Sequence, residues 1–147
     1  MGVKVDGDNK ELSAFAKMID HKMSQAFAYA AEAGLTECKR KHTYTDRTGK
    51  LTASMGYVFR SPSSAVVSMG QDSGTGTAEG KSEGKQRGEE YSATAAQAIG
   101  GKAFGVSIFA GAEYAKHVSN KKAVLEPALP ILEKTLERLI KAIKNAH

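Results

Sequence analysis

The sequence predicts a single α+β domain over residues 1–147: a long N-terminal helix, a small antiparallel sheet of three to four strands, and a C-terminal helix. Three observations predict it. An apolar stripe at helical spacing runs from Leu12 to Ala30. Aromatic and β-branched residues flank the turn Arg60-Ser61-Pro62-Ser63. A leucine-rich stripe closes the chain from Leu125 to Ile143. A chain of 147 residues is long enough for one modest core.

The first helix opens on a capping box, Asp8 with Glu11, and carries Leu12, Phe15, Ala16, Ile19, Met23, Ala26, Phe27 and Ala30 on one face. Gly34 costs it about 1 kcal/mol relative to alanine. Leu35 and Cys38 nevertheless keep the apolar phase, so the helix is expected to reach about Lys39. The basic run from Lys39 to His42 complements a helix C-terminus. Leu51 to Phe59 reads as the first strand and Ser64 to Met69 as its hairpin partner. A later strand over Phe104 to Ala110 alternates Phe104, Val106, Ile108 and Ala110 with Gly105, Ser107 and Phe109. The last helix starts near Glu126 or Pro127, and Pro130 must also lie in its first turn. Leu125, Leu129, Leu132, Leu136, Leu139, Ile140 and Ile143 form its stripe, with Glu137 and Lys141 as a surface pair.

Between the second and third strands, Gly70 to Lys102 is crowded with Gly, Ser, Thr, Glu and Lys and nearly free of large apolar side chains. Such a composition buries too little surface to offset the entropy of ordering it, so 70–102 reads as a long flexible Gly-rich arm inserted in the domain. An arm of this length either orders against a neighbouring subunit or stays mobile.

No segment approaches the roughly 20 apolar residues needed to span a bilayer, and Met1 to Asp6 lacks the apolar core of a signal peptide, so no membrane association is expected. Gly2 does not complete a myristoylation motif, because Asp6 stands where Ser or Thr is required. The lone Cys38 forms no internal disulfide and reads as a small buried hydrophobe. Gly80-Lys81-Ser82 resembles the end of a phosphate loop, yet Thr75 occupies the place of its first glycine. Gly74-Thr75-Gly76 likewise misses the dinucleotide fingerprint, with Glu79 at the third glycine position. His21, His42, His117 and His147 make no helical metal pair, and Ser54 has no nucleophile-elbow setting. The reading is therefore of no enzyme, no cofactor and no metal.

The net charge of +5 and pI near 9.3 suit contact with DNA or an acidic protein surface. Lys39, Arg40, Lys41, Arg47 and Lys50, interleaved with Tyr44, could neutralise phosphates. A small basic nucleic-acid-binding protein is accordingly the alternative function.

The segment from His42 to Val58 contains Asp46-Arg47-Thr48-Gly49-Lys50-Leu51 followed by Ser54-Met55. It resembles the signature of the tailed-bacteriophage head-tail joining, neck and tail-completion family, which commonly reads Asp-x-Thr-Gly-x-Leu and then Ser with Ile or Met. In physical terms Asp46 and Thr48 cap local amides, Gly49 relaxes the backbone and Leu51 anchors the loop. Glu113-Tyr114-Ala115-Lys116-His117-Val118 is similar to the family's Tyr-Ala-x-x-Val segment, with Tyr114 and Val118 packing inward. Val124-Leu125-Glu126-Pro127-Ala128 matches its entry into the terminal helix. Two departures stand out: Ser119-Asn120 replaces the usual Glu and Gly, and the segment between Gly70 and Lys102 is longer than is typical.

The resemblance implies a structural virion component without catalytic activity, assembled in the host cytoplasm. It implies a homo-oligomer, often a hexameric ring, that joins head and tail and surrounds DNA without sequence-specific contact. Portal-side, neck or tail proteins are its implied partners. On this reading Tyr44, Asp46, Arg47, Thr48 and Gly49 form an exposed loop at a subunit boundary. The competing reading is that Asp46 to Gly49 only shapes the strand entry.

Overall fold

Helix α1 runs unbroken from Lys10 to Arg40 in the computed structural model, which describes residues 10–40, 42, 44–62, 65–72, 74–100, 104–119 and 124–146. The expected cap at Asp8 lies outside those residues. Gly34 stays helical and serves a packing purpose. A Cβ there would lie 3.2 Å from the carbonyl oxygen of Ala128 and 3.3 Å from Ile108 Cδ1, so the missing side chain admits the start of the last helix, α5 (Ala128–Ala146). α5 packs mainly along α1. Leu132 reaches the core and Leu136, Leu139, Ile140 and Ile143 are half-buried, whereas Leu129 departs from the expected stripe at 55% exposed.

The sheet is antiparallel with β1 (Met55–Arg60) in the centre, β2 (Ala65–Ser68) on one side and β3 (Gly105–Ala110) on the other. Val58 stands opposite Val67 and Ser107, and Phe59 opposite Val66 and Val106. Period-two alternation sends Met55, Tyr57 and Phe59, with Val106, Ile108 and Ala110, into a core closed by Ala31, Leu35 and Cys38 of α1. Phe27 anchors that side, its ring 5.8 Å from Phe59 and 5.5 Å from Phe104.

Two expectations are corrected. The strand expected from Leu51 begins only at Met55, because Lys50 to Ala53 form a single helical turn, α2 (Lys50–Ala53). The Thr52 amide, which a strand would use in its ladder, is instead taken by the Asp46 carboxylate at 2.8 Å.

The larger correction concerns 70–102, expected to be a structureless arm. Most of it is α3 (Ala78–Ile99), a 22-residue helix that covers the second face of the sheet. Ala95 and Ile99 pack there on Val58 and Phe109. Thr77 caps the helix, its hydroxyl oxygen accepting from the Gly80 amide at 3.0 Å. Gly80, Gly84 and Gly88 cost about 3 kcal/mol of helix propensity together relative to alanine. They also form a bare stripe that α3 lays directly on backbone. A Cβ would fall 2.2 Å from the Thr48 oxygen at Gly80, 2.2 Å from the Lys50 oxygen at Gly84 and 2.6 Å from the Ser54 oxygen at Gly88. Those oxygens lie along the glycine Cα–H bonds, where weak Cα–H···O contacts form. Burying Ile99 and Phe109 contributes on the order of 1.5–3 kcal/mol each, enough with the cap to outweigh the propensity deficit. The result is three layers: α1 with α5, the sheet, then α3.

Candidate functional site

The loop before α2 is organised by one carboxylate. Asp46 Oδ1 accepts from the Gly49 amide at 3.1 Å, and Oδ2 accepts from the Thr52 amide at 2.8 Å and the Thr52 hydroxyl at 2.6 Å. The two amides are orphan donors at the start of a helical turn, satisfied by an anion where the peptide dipoles favour one. Since the single hydroxyl proton of Thr52 goes to Asp46, the Tyr44 hydroxyl donates to Thr52 Oγ1 over 3.1 Å. Gly49 adopts a left-handed conformation at φ 79°, with the Thr75 carbonyl oxygen 2.7 Å from where a Cβ would be. Thr48 uses both its polar groups, its hydroxyl accepting from the Lys50 amide at 3.3 Å and its carbonyl from the Thr77 amide at 2.9 Å.

The expected interface residues therefore divide. Arg47 and Thr48 are exposed and Asp46 half-buried, but Gly49 is buried and Tyr44 is only 6% exposed. Tyr44 lies in the main core beside Leu51, Met55, Ala112 and Ala115. His42 stacks on its ring at 4.2 Å. Burial pushes the Tyr44 phenol up to about 12. The exposed surface of this loop is consequently narrower than the sequence suggested.

The basic cluster is also largely engaged in the fold. Lys39 is buried, its amine donating to the Met69 carbonyl and, at 3.3 Å, to that of Gln71; burial lowers its pKa. Lys50 Nζ bridges Glu113 at 2.6 Å and Glu83 at 2.9 Å. Glu113, then Glu83, raise the Lys50 pKa, and Lys50 in turn lowers that of Glu113. Lys41 lies outside the described residues, which leaves Arg40 and Arg47 as the exposed cations of the cluster among those described.

Lys50 joins the two distant segments. Its ammonium sits 5.9 Å above the Tyr114 ring as well as on Glu113, and the Gly111 amide donates to the Ser54 carbonyl at 3.0 Å. Tyr114, and Val118 on the short helix α4 (Ala115–Ser119), pack on the core, in the inward positions that the resemblance implied. Sequence reasoning missed Thr52, Lys50, Glu83 and Thr77 as partners of this loop. One signal was available: Gly76, Gly80, Gly84 and Gly88 recur every four residues, the period of one helix face.

Among the described residues, no group of three His, Cys, Asp or Glu side chains is arranged to hold a metal ion. No helix among them is long and apolar enough to cross a membrane. In comparisons with protein-family models, curated proteins and solved structures, nothing matches this chain.

Proposed function

We propose that this chain is a structural subunit of a tailed-phage virion, forming a ring at the neck or tail-completion position and carrying out no catalytic step. The supporting observation is spatial. The segment Asp46 to Met55 and the segment Glu113 to Val118, the two that carry the resemblance, lie about 60 residues apart in sequence yet form one constellation through the Lys50–Glu113 contact of 2.6 Å. Two short motifs that match by chance have no reason to meet. Here Leu51, Ala112 and Ala115 share one core and Asp46 shapes the turn that presents Lys50.

The ring is the homo-oligomer in which α3 and the loops meet neighbours, with DNA passing through without base-specific contact. The alternative, a nucleic-acid-binding protein, loses two of its supporting cations to internal partners, since Lys39 and Lys50 are held by carbonyls and carboxylates. Native mass measurement of the purified protein and its detection in intact particles test the proposal. The expected outcome is a multiple of the subunit mass and a fixed copy number per particle. Absence from particles sinks it, and tight DNA binding that collapses as salt rises would favour the alternative.

A further inference from the structure

The sheet ends on two unlike edges. β2 is bare on three sides among the described residues: its outer edge has no strand partner, and Val66 and Val67, which point to opposite faces, are 44% and 50% exposed. Ala65-Val66-Val67-Ser68 holds no charge and no proline, the usual devices that keep an edge from pairing. Neither α1 nor α3 covers it.

β3 has the complementary shape. Its outer edge, along Ser107 to Ala110, has no strand partner among the described residues and forms the floor of a groove of about 480 Å³. Tyr91, Thr94 and Ala98 of α3 make one wall; Lys116 and the segment Val124 to Glu126 make the other. A strand naked on both faces and one edge needs a slot with two walls and unpaired backbone at its base.

We propose that β2 of one copy adds to the free edge of β3 in the next, so that the sheet continues across the subunit boundary. Main-chain hydrogen bonds supply the pairing, and the two walls cover Val66 and Val67. The occupant is a second copy of this chain because the protruding strand and the receiving groove are both present in every copy. The contact is heterologous, one edge on one copy meeting the other edge on its neighbour, and repetition of such a contact closes into a ring when the rotation allows. The inference rests on the ring-subunit reading and names the surfaces that build that ring.

The test replaces both exposed valines, Val66→Lys with Val67→Lys, and reads mass and fold together. Circular dichroism and melting temperature should stay unchanged while the assembled species gives way to monomer. Assembly that survives with native mass overturns the strand addition and leaves the ring reading standing. A second variant, Val67→Cys with Thr94→Cys, is treated with a short bismaleimide both in solution and in particles; Cys38, fully buried, stays silent. A ladder of cross-linked copies is expected. Cross-linking to a different virion protein, or no ladder in either setting, overturns the inference. A chain that neither assembles nor enters particles removes the ring reading itself.

Discussion

At the scale of single residues, Asp46 and Arg47 are neighbours with opposite duties. Asp46 satisfies three donors through one carboxylate, while Arg47 is exposed. Asp46→Ala should cost about 2 kcal/mol, the scale of a lost charged cap with buried donors left unpaired. Arg47→Ala should stay within about 0.5 kcal/mol. Urea unfolding of the two single variants checks this, and equal losses would contradict the geometry. A double substitution would mix the two duties, so only the Arg47 variant reports cleanly on assembly. The capping roles of Asp46 and Thr48 were legible in the sequence because their side chains act on amides within six positions. Tyr44 was not, since the core it enters also holds Ala112 and Ala115, about 70 positions away, while its immediate neighbours in sequence are basic and polar.

At the scale of elements, α3 reverses the usual sign of a glycine substitution. Gly84→Ala in an exposed helix gains about 1 kcal/mol. Here the new methyl would meet the Lys50 carbonyl, and overpacking of this kind costs roughly 1–3 kcal/mol. A lowered urea midpoint is expected, and a raised one would show that α3 does not seat on the α2 turn. Limited proteolysis offers an independent check. Lys81, Lys85 and Arg87 all lie inside α3, so trypsin should cut there only as fast as the domain opens, not at the rate of an unstructured arm. Composition pointed to disorder because propensity counts side chains, and this helix is held by the backbone that their absence exposes. Its four-residue glycine period was the legible clue. The boundaries of α1, β2, β3 and α5, by contrast, followed from apolar spacing to within a few residues.

At the scale of the whole molecule, the α+β class and the order of the expected elements were readable, but the number of layers was not. With α3 standing where an arm was expected, the sheet is covered on both faces. Closure of the main core also sets a pH response. Burial pushes the Cys38 thiol from 9.0 up to about 11 and the Tyr44 phenol from 10.0 up to about 12. Both groups are neutral acids whose folded pKa is raised, so their contribution is complete below pH 9 and is lost as pH rises through the window to about 12. Lys39, lowered by burial, acts in the opposite direction, its cost disappearing once the unfolded amine also deprotonates. With the Tyr57 and Tyr114 phenols also raised by burial, the acids outnumber it. Urea midpoints taken across pH 8–12 should therefore fall; a flat or rising curve would contradict the burial of these groups.

The glycine seam between α3 and the α2 turn has a mechanical meaning. Side chains yield under load by turning about their bonds, but at Gly80 and Gly84 the nearest atom facing the helix is the opposing carbonyl oxygen, with no side chain between; only at Gly88 does a side chain, the Met69 methyl, come closer. Force applied to one backbone passes directly to the other, so α3 acts as a splint along the central strand. Compliance is left to the α1–α5 pair, whose contact is made by long, half-buried side chains. Under a pull along the axis of an assembly, the subunit should flex at that helical pair while its sheet and splint move as one piece.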